Sequence, residues 1–124
     1  MNFDYQQFYF SAAGRINRQQ WWLRLVLPFF IVIVALHFLD LNLGTFDPEL
    51  GVGLLTGIFS LLTLIPAIMV HIKRFHDRDK SGWWVLIGII PIIGGLWLLI
   101  ELGFLSGTPG SNRYGPPVED EPVT

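Results

Sequence analysis

Four side chains able to hold a metal or move a proton cluster in one short stretch: His71, His76, Asp77 and Asp79. Lys73, Arg74, Arg78 and Lys80 are interleaved with them, which makes 71–82 the densest polar segment of the chain. Imidazole nitrogens and carboxylate oxygens suit zinc and other divalent ions. The spacing, however, does not put two histidines three or four apart on one helical face, so no metal site is expected. A His76–Asp77 acid–base pair has no partner nucleophile, and chain neighbours rarely supply the geometry that proton transfer needs. No catalytic residue and no cofactor are assigned. The simpler reading is a solvated turn in which Arg74, Asp77 and Arg78 pair locally while the remaining bases meet anionic lipid. With no cysteine in the chain, disulfides and thiolate chemistry are excluded.

The elements that must carry this segment are apolar. Hydrophobic residues make up 52% of the 124 and charged residues only 15%, and the mean hydropathy is +0.50. Soluble domains run near a quarter charged. A bilayer core of about 30 Å is crossed by roughly 20 apolar residues in a helix. Gly51–Val70 supplies 20 residues without a charge, and Trp83–Ile100 supplies 18 more. Trp22–Leu39 carries Arg24 near its start, where a long side chain can reach the headgroups. The expected fold is all-α: a multi-pass transmembrane protein with about three membrane helices, over about 22–39, 51–70 and 83–103, joined by short loops. A single membrane domain covers 1–118 and a disordered acidic tail covers 119–124. No cleavable signal peptide is expected, because the first twenty residues lack a basic start followed by an apolar run. The third run contains Pro91 and Gly94–Gly95, so it either kinks or re-enters; a kinked span is the expectation.

Local signals mark the ends. Asn17 with Gln20 reads as a capping box and Ser81 as a cap. Trp21–Trp22 and Trp83–Trp84 suit the headgroup level. Gly53 and Gly57, spaced as G-x-x-x-G, are candidates for close helix packing, with Thr56, Ser60 and Thr63 near the same spacing. Lys and Arg number 3, 0, 4 and 1 in residues 1–24, 40–50, 71–82 and 101–124. The positive-inside rule then puts the N-terminus and second loop in the cytoplasm, with the first loop and the Pro/Gly-rich tail outside. If the run re-enters, the tail returns to the cytoplasm.

Three ordered motifs resemble a known family: Ser11-Ala-Ala-Gly-Arg-Ile-Asn-Arg with Trp21–Trp22, Lys73-Arg-Phe-His-Asp with Ser81-Gly-Trp-Trp, and Gly107-Thr-Pro-Gly-Ser-Asn-Arg-Tyr-Gly. Together they are similar to the DUF805 family of YhaH-like bacterial inner-membrane proteins, over about 8–118. Lys73 and Phe75 depart mildly from the family's usual Arg and Leu. The resemblance implies a bacterial inner-membrane location and supplies no activity. Physically, Arg15, Arg18, Lys73, Arg74, His76, Asp77, Arg78 and Arg113 are candidates for binding a partner or lipid. The expected function is a small adaptor or scaffold that contacts a membrane protein, or a second copy, or anionic lipid. A subunit of an oligomeric transporter or channel is the alternative, a membrane-surface enzyme the weaker one. No nucleic-acid partner is expected.

Overall fold

A computed structural model describes residues 3–119; of the acidic tail only Glu119 falls among them. The chain is mostly helical. Helix α1 (Tyr5–Phe10) opens under the Asp4 side chain, which accepts from Gln7 N at 3.0 Å. The capping box forms at α2 (Arg18–Trp21): Gln20 N donates to Asn17 Oδ1 at 2.7 Å and Asn17 N donates to Gln20 Oε1 at 3.1 Å. A π-helical turn, Trp22–Val26, leads on into α3 (Leu27–Leu43), giving one continuous helix of 26 residues, Arg18–Leu43. Pro28 has no N–H to offer the Arg24 carbonyl four residues back. The Tyr9 hydroxyl donates to that oxygen at 2.5 Å. The helix ends at Gly44, whose φ of 75° suits the left-handed residue that stops a helix.

A two-stranded ribbon follows, β1 (Phe46–Asp47) antiparallel to β2 (Val52–Gly53), so the expected all-α fold gains a small hairpin. Helix α4 (Leu54–Leu62) then meets α5 (Leu64–Asp77) at a 49° bend. The bend has named causes. Pro66 cannot donate to Leu62, and Ser60 and Thr63 hydroxyls donate to the carbonyls of Thr56 and Phe59 at 2.8 and 2.7 Å. Such back-bonding loosens a helix. Helix α5 runs through to Asp77, so much of the expected second loop is helical.

The third apolar run does not form one helix. A 3-10 helix (Gly82–Ile89), capped by Ser81, is followed by a tight turn and by α6 (Ile93–Leu98), which continues as a π-helical turn, Leu99–Phe104. The second arm returns along the first. Trp84 stacks on Trp97 with centroids 6.2 Å apart, and a Cβ at Gly94 would lie 2.1 Å from the Ile87 carbonyl oxygen. The arms are about 16 Å and about 18 Å long from their rises, roughly half a bilayer. The kinked-span expectation is therefore corrected to a helical hairpin. The turn needs Ile92 at φ 66°, a conformation costly for a β-branched residue.

Burial is concentrated at one end. Phe8, Ile16, Trp21, Leu25, Val70, Phe75 and Leu102 form the core there. Away from it, apolar side chains face outward. The most apolar 18 residues of the long helix are only 6% buried, so it is not the core helix of a soluble domain.

Candidate functional site: a buried guanidinium–carboxylate clasp

Asp77 closes the last turn of α5 and is reached from two sides. Arg15, 62 residues away, donates through Nε to Oδ1 at 3.0 Å. Arg74, one turn back, donates through Nη1 to Oδ2 at 2.6 Å. All three residues are buried. One carboxylate between two guanidiniums leaves positive charge in excess, and backbone carbonyls complete the shell. Arg15 donates to the oxygens of Thr108, Gly110 and Gly115 at 2.7, 2.8 and 3.1 Å. Arg74 donates to those of Leu102 and Leu105 at 2.8 and 2.6 Å. Charge-assisted bonds of this type are stronger than neutral ones. The first, second and third motifs thus meet at one carboxylate.

The tail motif is shaped for this contact. Gly107 passes so close to Asp77 that a Cβ there would lie 1.9 Å from Oδ2. Thr108 N donates to the Asp77 carbonyl at 2.7 Å. Gly110 and Gly115 adopt φ of 76° and 122°, which glycine alone adopts readily. Asn112 Nδ2 donates to the His76 carbonyl at 2.9 Å. His76 lies flat on Tyr114, centroids 3.7 Å apart, with Nδ1 2.9 Å from the Gly14 carbonyl oxygen. Burial lowers the His76 pKa from its usual value, the Gly14 carbonyl opposes this, and the Arg113 charge adds to the lowering. Arg113 pairs with Asp79 at 3.2 Å, and that bond raises its pKa.

The candidate partner- and lipid-binding residues divide by burial. Arg15, Lys73 and Arg74 are internal ties. Lys73 Nζ donates to the carbonyls of Gln7 and Phe8, fastening α1 to α5. Arg78 reaches Glu101 at 3.4 Å and the Ser106 carbonyl at 2.6 Å, so it does not pair with Asp77. Arg18 is exposed and donates to the Phe104 carbonyl at 2.6 Å. The glycine pair also divides. Gly53 lies in β2 and makes room for the Asp40 carboxylate, 2.1 Å from where its Cβ would be; a Cβ at Gly57 would meet only Val52, at 4.0 Å.

Two buried carboxylates carry more structure than the sequence suggested. Glu101 accepts from Trp97 at 2.7 Å and pairs with Lys80 at 2.7 Å, locking the second arm of the hairpin. Asp40 of α3 caps α4, accepting from Leu55 N at 3.0 Å and Thr56 N at 2.9 Å. Beside the clasp an open cleft of about 670 Å³ lies between the N-terminal loop and the tail, bordered by Arg18, Gln19, Trp22, Phe104, Pro117 and Val118.

These features define a class: a small helical protein with an outward-facing apolar body and a polar headpiece closed by buried ion pairs. The chain belongs to the DUF805 family, described as a protein of unknown function, whose model matches residues 9–116. It is 39% identical to Inner membrane protein YhaH of Escherichia coli (strain K12), with 92% of each chain covered. It is 36% identical to Inner membrane protein YhaI of the same strain, over 86% of this chain and 85% of the relative. No solved structure matches it. Family membership, the relatives' names and the long apolar helix together support an inner-membrane location.

Proposed function

We propose that the protein is a polytopic inner-membrane adaptor that holds a rigid headpiece at the cytoplasmic surface and docks a segment of another membrane protein in the cleft beside the clasp. The Arg18–Leu43 helix and the bent α4–α5 pair cross the bilayer, and the hairpin of 82–104 enters and leaves on the headpiece side. One observation carries this reading: Arg15 joins the N-terminal loop, the end of α5 and the tail at Asp77. All eight Lys and Arg then stand at the headpiece end, while Asp47 and Glu49 occupy the ribbon at the other. That asymmetry favours a cytoplasmic headpiece. Because the headpiece ion pairs are satisfied internally, its partner is met by the cleft, with exposed Arg18 at its rim and Arg113 on the tail.

A photo-crosslinking residue in place of Gln19, in native membranes, tests the docking. A discrete adduct that disappears with Val118→Arg supports the adaptor. A smear of lipid-sized adducts unchanged by that substitution overturns it.

A further inference from the structure

A pocket of about 310 Å³ lies where the second arm of the hairpin meets the turn after α5. Arg78, Lys80, Trp97, Ile100, Glu101 and Leu105 line it. Glu101 is buried, and both of its oxygens are engaged. Trp97 Nε1 donates to Oε1 at 2.7 Å, while Lys80 Nζ and Arg78 Nε reach Oε2 at 2.7 and 3.4 Å. Two cations thus share one anion, and one positive charge is left over.

The donors of those cations are not used up. Arg78 gives Nη1 to the Ser106 carbonyl at 2.6 Å, and among the described residues its Nη2 makes no bond. Lys80 Nζ has three N–H groups; one meets Glu101, and the nitrogen stands 4.6 Å from the Trp84 ring centroid. Side chains that are 24% and 31% exposed are held in place by Glu101 yet still open to the pocket. Cations already fixed in this way lose little side-chain freedom when a ligand arrives. Beside them Trp97, Ile100 and Leu105 are exposed and belong to the outward-facing apolar surface.

The lining selects its occupant. A neutral lipid head leaves the excess charge unanswered. A zwitterionic head brings an ammonium group, and the carboxylate in the pocket has both oxygens taken, so that group meets two cations. A free phosphate leaves the apolar border uncovered. A phosphodiester with one net negative charge, carried on acyl chains, answers both parts of the lining. We infer that this pocket binds an anionic glycerophospholipid, its phosphate oxygens accepting from Arg78 Nη2 and Lys80 Nζ and its acyl chains lying against Trp97, Ile100 and Leu105. The inference rests on membrane residence and on the hairpin, and it is independent of any partner in the cleft.

Native mass spectrometry of the delipidated full chain in a maltoside detergent tests it, by titration with phosphatidylglycerol, with phosphatidylethanolamine of the same chains, and with glycerol 3-phosphate. Lys80→Gln removes one cation and leaves Glu101 its bonds from Trp97 and Arg78; Lys80→Arg keeps the charge. Circular dichroism and gel filtration verify the fold of each variant. The expected result is saturable binding of phosphatidylglycerol, about fivefold weaker with Lys80→Gln, the worth of one base at a membrane surface, and retained with Lys80→Arg. Phosphatidylethanolamine should bind at least fivefold more weakly to the unaltered protein, and glycerol 3-phosphate should not bind. Equal affinity for the two lipids means that apolar contact alone holds them and overturns the inference, whatever the variants do. Phosphatidylglycerol binding unchanged by Lys80→Gln overturns the placement of the phosphate. Binding of glycerol 3-phosphate as tight as that of the lipid marks a soluble-anion site and overturns the lipid assignment.

Discussion

Asp77 accepts from two buried guanidiniums, so its removal differs from the loss of a surface ion pair. Deleting one partner leaves uncompensated charge in a low-dielectric interior, at a cost of about 3–5 kcal/mol. Asp77→Ala is therefore expected to lower the thermal midpoint of the detergent-purified protein sharply. Arg113→Ala breaks an exposed, solvent-screened pair with Asp79 and should move the midpoint little. Equal shifts in the two variants would contradict the clasp. Gly107 gives a second contrast. Gly107→Ala drives a Cβ into Asp77, whereas Gly110→Ala meets nothing within 4 Å and has only its φ of 76° to overcome. That backbone cost is about 1–2 kcal/mol, so limited proteolysis of the tail should accelerate strongly for the first variant and modestly for the second.

At the scale of elements, the hairpin of 82–104 is the most testable. Gly94 sits against the Ile87 carbonyl while Gly95 faces open space. Gly94→Ala should separate the arms and destabilise the protein. Gly95→Ala should be neutral or stabilise by up to about 1 kcal/mol through helix propensity. Ile92→Gly relieves the positive φ of the turn and is expected to raise the thermal midpoint. Two elements were readable in advance: the Asn17–Gln20 capping box and the Ser81 cap formed as the residues indicated, because caps are local hydrogen bonds within a few residues. Reversal at 90–92 was not readable as the favoured path. Pro91 and Gly94–Gly95 mark a break, but whether a helix bends or turns back depends on what the second arm packs against. Trp84 against Trp97 and Glu101 against Lys80 supply that answer here.

For the molecule as a whole, the meeting of three motifs turns an architectural fact into a prediction of sidedness. The chain has no cysteine, so single-cysteine variants report position cleanly. With the proposed orientation, Ser111→Cys is labelled by an impermeant maleimide only after the inner membrane is opened, and Glu49→Cys in intact spheroplasts. Labelling of both from the same side would sink the two-crossing topology. What the sequence determined by itself was the apolar character, its division into three runs and the family. Those depend on composition and on neighbours along the chain. The residues of the clasp were visible too, as Arg15, Arg74, Asp77 and the Gly107–Gly115 motif, but as solvated charges and a turn. Only the tertiary structure decided that the tail returns to the headpiece and that these charges face inward. A straight span and a hairpin have the same hydropathy, and an ion pair spanning 62 residues exists only after the chain has folded back.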